Sequence, residues 1–346
     1  MPDYKSFFMK PQNKSDTVPR YIPPLDLGKI LKVVSLDIEM LESQILRDIQ
    51  TEIPLLNSVT EHILSSGGKR LRPALVFLGA KMFGGVDQRV IQAAQVIEYL
   101  HTATLLHDDV VDAAETRRNK QTACRLWGDE VSVLSGDYLL AMAFHRLTKL
   151  RYLEVLELMS ETTTRMAKGE LLQLARSYKT VNEDDYFEII YNKTACLFAT
   201  AIKTGALLAG ASGESVNQLY NYGMAIGVSF QIVDDTLDYS DEKKTGKPVG
   251  GDLQERKITL PLSHLLEKAN ANDKSRLDMI LAQTIIEKPQ IEEVTCLMKR
   301  YGSIDYSLAH SRHYAEKARR CIENFPYTET RRSLEDISDY IVSRQS

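Results

Sequence analysis

Two acidic clusters of the same form stand in apolar surroundings: His107-Asp108-Asp109-Val110-Val111-Asp112 and Gln231-Ile232-Val233-Asp234-Asp235-Thr236-Leu237-Asp238. Each reads Asp-Asp-x-x-Asp. On a helix the first and last aspartates, four apart, share a face one turn apart. Six carboxylates converging inside an apolar bundle repel one another and are not retained without compensation. Oxygen-only donors suit Mg²⁺, which keeps several waters and takes one or two carboxylates together with substrate phosphates. Asp108, Asp109, Asp112, Asp234, Asp235 and Asp238 are therefore the candidate metal ligands. Three Mg²⁺ ions would match their six charges and leave a diphosphate to be balanced by bases. The plain alternative, a solvated acidic helix end, suits one such cluster better than two.

Basic residues gather beside both clusters. Gly67-Gly68-Lys69-Arg70-Leu71-Arg72-Pro73 forms a glycine-led loop opening a helix, where loop amides and a helix N-terminus favour anions. Arg117 and Arg118 follow the first cluster. Lys193-Thr194 is expected to begin another apolar helix, and Lys247 and Lys257 flank the glycine-rich loop after the second cluster. His101 precedes Asp108 by two helical turns, so it is either a satisfied core histidine or a phosphate donor on the same stripe. Gly223, Gly227 and Gln231 recur every fourth residue, a groove explained equally by close helix packing and by room for substrate. No Ser-His-Asp or Cys-His arrangement calls for a protein nucleophile.

The elements that must position these residues are helices. Apolar residues recur at three- and four-residue spacing, as in Leu41, Ile45 and Ile49 or Leu153, Leu156 and Met159, while alternating strand patterns are scarce. With 346 residues, 43% hydrophobic and 26% charged, the chain has enough apolar material for one large all-α bundle. A net charge of −4 gives no footprint for nucleic acid. The longest uncharged stretch, Ser215 to Val233, carries Asn217, Gln218, Asn221 and Gln231 and is a poor membrane span. Four scattered cysteines suggest neither a disulfide framework nor a zinc site and fit a reducing compartment. Residues 1–25 differ: they hold five of the eleven prolines, lack apolar periodicity, and are expected to form a flexible extension ahead of a 26–346 domain. Neither a secretory signal nor an arginine-rich transit peptide is evident in them. A cytoplasmic protein is expected, with an organelle matrix as the alternative.

Taken together, Gly-Gly-Lys-Arg-x-Arg-Pro at 67–73, the two Asp-Asp-x-x-Asp sites, Arg117-Arg118, Lys193-Thr194-Ala195, Phe230-Gln231 and Gly250-Gly251-Asp252-Leu253 resemble the trans-isoprenyl diphosphate synthases, most of all the long-chain polyprenyl (octaprenyl or solanesyl) type. The resemblance covers roughly Asp26 to Ser346. It implies the isoprenoid synthase fold, a single large helical bundle with a central substrate cavity, and a homodimer. It also implies that Asp108, Asp112 and Asp234 hold Mg²⁺ on an allylic diphosphate clamped by Arg117, Lys193 and Lys247, with Lys257 nearby. Thr194 and Gln231 would line the allylic site. Gly68, Lys69, Arg72, His101 and Arg118 would bind the diphosphate of isopentenyl diphosphate. The implied product is a long all-trans polyprenyl diphosphate, about octaprenyl, for a quinone side chain, released through at most peripheral contact with a membrane.

In short-chain relatives bulky aromatics four and five positions before the first aspartate floor the tunnel. Here those positions are the small Thr104 and Ala103, beside a helix that from Asp87 to Asp112 would run about 39 Å, and a product longer than geranylgeranyl is expected. Two positions depart from the family pattern: Asn119 stands where glycine usually follows the paired arginines, and Arg256 where glycine usually precedes the lysine. Positive φ is cheap for glycine and next cheapest for asparagine, so a small backbone cost is expected at Asn119, while Arg256 puts the local turn in doubt more than the lysine. The competing readings are a geranylgeranyl synthase, a class I terpene cyclase and a non-catalytic regulatory subunit. A cyclase usually carries a different second motif, and a regulatory subunit should have lost aspartates.

Overall fold

A computed structural model describes residues 25–65, 67–118, 120–176, 182–239 and 250–344. Almost all of the extension expected at 1–25, together with Asn119 and Lys247, lies outside the described residues. The all-α expectation holds. The helices are α1 (Leu27–Ile30), a 3₁₀ turn (Leu31–Val34), α2 (Ser35–Asp48), α3 (Pro54–Ser65), α4 (Leu71–Lys81) and α5 (Gln88–Val111). After a two-residue antiparallel ladder, β1 (Thr116–Arg117) with β2 (Lys120–Gln121), come α6 (Ala123–Trp127), α7 (Asp129–Leu150), α8 (Leu153–Ala175) and α9 (Glu183–Ile190). A π-helical turn (Tyr191–Ala195) runs into α10 (Cys196–Leu208), followed by α11 (Glu214–Leu237), α12 (Gly251–Gln254) and α13 (Leu260–Lys268). The chain closes with α14 (Ala271–Leu281), α15 (Lys288–Arg300), α16 (Ser303–Ile322) and α17 (Glu329–Ser343).

Burial explains the arrangement. Helix α5 is buried on almost every turn, from Val90 to Asp109, and a helix apolar nearly all round belongs in the middle of a bundle. Its start is set by Asp87, whose carboxylate accepts from the amides of Arg89 (2.9 Å) and Val90 (3.0 Å). Helix α5 packs on α4 and α7, α10 on α4 and α11, and α11 on α16. A second, smaller apolar cluster (Tyr239, Leu253, Leu262, Leu277, Ile291, Met298) ties α12 to α15 beside the second aspartate motif.

The glycine repeat of α11 serves packing. A Cβ on Gly223 would sit 2.6 Å from Ala199 Cα and 2.7 Å from Phe198 O, and one on Gly227 2.5 Å from Ala195 Cα, so both glycines let α11 lie directly on α10 and the π turn. The π turn itself corrects an expectation. Lys193-Thr194 does not begin a helix; it sits inside a continuous helical run from Glu183 to Leu208. Asn192 stabilises the turn through Nδ2 to Glu188 O (2.8 Å) and by accepting at Oδ1 from Arg165 Nε (3.2 Å). Single π turns inside helices recur at functional sites because they re-aim side chains.

Candidate functional site

A cavity of about 740 Å³ opens between α5, α8, the π turn, α10 and α11. Its head is charged: Asp108, Asp112, Asp234, Asp235 and Asp252 face Arg72, Arg117, Arg118, Lys193 and Lys257. Its body is apolar, with Leu100, Ala103, Leu140, Met166 and Leu197 among the lining residues. Thr104 also lines it, and its hydroxyl is turned back onto His101 O (2.8 Å), leaving the methyl for the cavity.

The first motif divides by helical phase. Asp108 and Asp112 reach the cavity one turn apart. Burial pushes the Asp108 carboxyl up to about 6, against the pull of Lys193; Glu170 and Asp112 push the same way as burial. Asp112 accepts from Lys257 Nζ at 2.7 Å, and that ammonium also pairs with Glu255 at 2.6 Å. These two carboxylates hold the lysine charged despite its burial, so its pKa is raised. Asp109 is absent from the cavity lining, only 1% exposed, and its Oδ1 accepts from Arg117 Nε at 2.8 Å. It faces Arg117 and not the cavity.

The second motif is tied down by hydrogen bonds. Asp235 is buried, accepting from Tyr186 OH (2.6 Å) at Oδ2 and from Gln231 Nε2 (2.7 Å) at Oδ1. Gln231 in turn accepts from Thr194 Oγ1 (2.8 Å), so a chain of four polar side chains links the π turn to the motif. Burial raises the Asp235 carboxyl to about 7, against both hydrogen bonds. Asp238 lies off the cavity lining; its Oδ2 accepts the amide of Asp252 (3.0 Å) and so anchors the Gly250-Gly251-Asp252 turn. Asp252 is half-buried and its pKa well raised, by desolvation first and then by Asp238 and Asp235. Asp234 pairs with Arg344.

Of the basic set, Arg72, Arg117, Arg118, Lys193 and Lys257 line the cavity, whereas Gly68 and Lys69 are exposed and lie off its lining. Arg72 is half-buried over the Phe198 ring, 4.5 Å from its centroid, and desolvation lowers its pKa to about 10. Its Nη1 donates to His101 Nε2 (3.1 Å), since a guanidinium has no acceptor; His101 therefore carries its proton on Nδ1. Burial, and then the neighbouring arginines, keep His101 neutral. The histidine thus positions Arg72, with only Nδ1 left to donate. Gly68 leaves space for Arg118: a Cβ there would sit 3.0 Å from Nη1. Arg118 itself takes a left-handed φ of 52° just after β1, the conformation that tight hairpin loops ask for at their first residue. Arg256 also pays for its departure, with φ 59°, yet its Nη2 reaches Gln283 O (2.9 Å) and the next amide, of Lys257, bonds Asp252 O (2.8 Å), so the turn survives.

Sequence reasoning missed three site residues. Glu170 pairs with Lys193. Asp252 was visible within Gly-Gly-Asp-Leu but carried no role. Arg344 had no motif at all.

No three acidic, histidine or cysteine side chains among the described residues meet closely enough to hold a cation alone. That suits Mg²⁺ taken by one or two carboxylates with phosphate completing the shell. Asp108, Asp112 and Asp234 offer such oxygens around one cavity, so the donor set fits.

A helical bundle with paired carboxylates and a ring of cations at the head of one apolar cavity defines an enzyme that handles prenyl diphosphates. The chain belongs to the polyprenyl synthetase family, whose sequence profile matches residues 53–298. It is 36% identical over 326 residues to the octaprenyl diphosphate synthase of Escherichia coli K12, covering 92% of this chain and 99% of that one. It is 34% identical over 314 residues to a short chain isoprenyl diphosphate synthase of Methanothermobacter thermautotrophicus, covering 89% and 96%. A crystal structure of a polyprenyl synthase from Caulobacter crescentus, complexed with calcium and isoprenyl diphosphate, superposes with a TM-score of 0.90 at 33% identity, covering 95% and 100%.

Proposed function

We propose that the protein condenses an allylic diphosphate, farnesyl or similar, with successive isopentenyl diphosphates to make a long all-trans polyprenyl diphosphate of about octaprenyl length for a quinone side chain. The observation that carries this reading is the cavity itself: a charged head of carboxylates and bases leads directly past Ala103 and Thr104 into an apolar body. Likeness to long- and short-chain enzymes alike leaves product length to those lining residues.

Asp108, Asp112 and Asp234 would hold Mg²⁺, which when bound would neutralise charge on the departing diphosphate. Arg117, Lys193 and Lys257 add positive charge at the same place, where they stabilise the anion as the C–O bond breaks and its electron pair leaves with diphosphate. The isopentenyl double bond attacks the allylic cation, and the new adduct loses a proton to the released diphosphate, so no protein base is needed. Lys69, Arg72 and Arg118 hold the isopentenyl diphosphate, with His101 orienting Arg72. Leu100, Leu140, Met166 and Leu197 keep water from the cation.

A homodimer is part of the reading, supported by the exposed apolar side chains Leu126, Val133, Leu134 and Tyr138 on α6 and α7. No helix among the described residues is long and apolar enough to cross a membrane. The cytoplasm, or an organelle matrix, is the proposed location, with release of product by peripheral contact. The test is incubation with Mg²⁺, farnesyl diphosphate and labelled isopentenyl diphosphate, followed by sizing of the products. Condensation abolished by Asp108→Ala is expected. No condensation with any allylic primer would sink the reading, and a product that stops at geranylgeranyl would move it to the short-chain class.

A further inference from the structure

Helix α17 ends at Ser343, and the next residue sends its side chain inward. The Arg344 side chain is 6% exposed and lies over the Phe230 ring, 4.3 Å from its centroid. Its Nη2 donates to Asp234 Oδ1. Nε and Nη1 are also buried and have no hydrogen-bond partner among the described residues. Lys69 lies alongside, its ammonium 5.7 Å from the Tyr340 ring of the same helix and its pKa lowered by burial and then by Arg344. Lys69 feels Arg118 as well, and Arg72 feels both Asp234 and Arg118. Three cations, Arg344, Lys69 and Arg72, act on the Asp234 carboxylate, and two buried guanidinium donors stay unmatched among the described residues. Buried donors of that kind are normally satisfied, and guanidinium groups match phosphate oxygens best.

We propose that Arg344 is a further diphosphate-binding residue and that it competes with the divalent metal for Asp234. The guanidinium holds Asp234 until isopentenyl diphosphate enters among Lys69, Arg72 and Arg118 and takes up its donors. Asp234 is thereby released to the metal, so the second substrate and the metal strengthen each other's binding, reciprocally. This rests on the function proposed above.

The probe is Mn²⁺, titrated into the full chain and followed by electron paramagnetic resonance, with and without isopentenyl diphosphate at a fixed total concentration. Without the diphosphate, Arg344→Gln and a chain ending at Ser343 should each bind Mn²⁺ about five-fold or more tightly than wild type. Adding isopentenyl diphosphate should tighten Mn²⁺ binding to the wild type by a similar factor beyond its effect on the variants. Arg344→Lys, which keeps the charge, should stay close to wild type. Wild-type Mn²⁺ affinity in both Arg344 variants, with weakened binding in Asp234→Asn, would overturn the competition and leave the prenyltransferase reading standing. Unchanged Mn²⁺ binding in Asp234→Asn would overturn both.

Discussion

Substituting Gly169 by alanine probes the packing that seats Lys193. Gly169 lies on α8 against the π turn, and a Cβ there would stand 2.8 Å from Lys193 Cα and 2.9 Å from Asn192 C. Carbon–carbon contacts settle at about 3.5–4.0 Å, so the two backbones must part by roughly 1 Å. The obstacle is main chain and not the tip of a flexible side chain, so the displacement passes to Lys193 and to Thr194, which begins the hydrogen-bonded chain to Asp235. Overpacking of this kind costs about 1–3 kcal/mol of stability. A shift of about 1 Å in a positioned group costs on the order of 100-fold in rate. Gly169→Ala should therefore fold with a lowered melting temperature, and turnover of farnesyl diphosphate should fall by roughly 10- to 100-fold. The KM for isopentenyl diphosphate, held by Lys69, Arg72 and Arg118, should stay nearly constant. Initial rates of labelled isopentenyl incorporation, with circular dichroism to check folding, measure this. Wild-type turnover alongside a lowered melting temperature would refute the claim that this contact places Lys193.

Ala103→Phe should shorten the product, read by sizing the extracted prenyl chains; an unchanged chain length removes Ala103 from the cavity floor. The pKa values of Asp108 (about 6) and Asp235 (about 7) are raised by burial above the unfolded value of about 3.9. Between these limits the unfolded chain holds fewer protons than the folded one, so both groups make metal-free protein less stable as pH rises from about 4 to 7. Asp235→Asn should flatten that fall in chelator, and equal melting-temperature slopes for variant and wild type would contradict the burial argument. Arg256→Gly should relieve the left-handed strain of about 1 kcal/mol but lose the bond to Gln283. Denaturant unfolding should therefore show a change within about 1 kcal/mol of zero, and a loss beyond that would show the arginine to be structurally required.

Much of the chemistry was readable from spacing alone. Residues four apart share a helical face whatever the helix packs against, so the pairing of Asp108 with Asp112 needed no structure, and the all-α class followed from apolar periodicity in the same way. The basic loops were legible because glycine and charge stand out locally. What lay beyond reach depended on how helices face one another. Helical phase turns Asp109 away from the cavity and onto Arg117, but which side of α5 meets the cavity is decided by its packing on α4, α7 and α10. The π turn at Tyr191–Ala195 carries no proline or glycine of its own; the glycines that accommodate it, Gly169 and Gly227, sit on other helices. The pairing of Arg344 with Asp234 joins residues 110 positions apart. Local sequence determines which groups a helix presents, because its geometry repeats every turn. Only the packed bundle decides which of them meet, because burial and charge are properties of the space between helices.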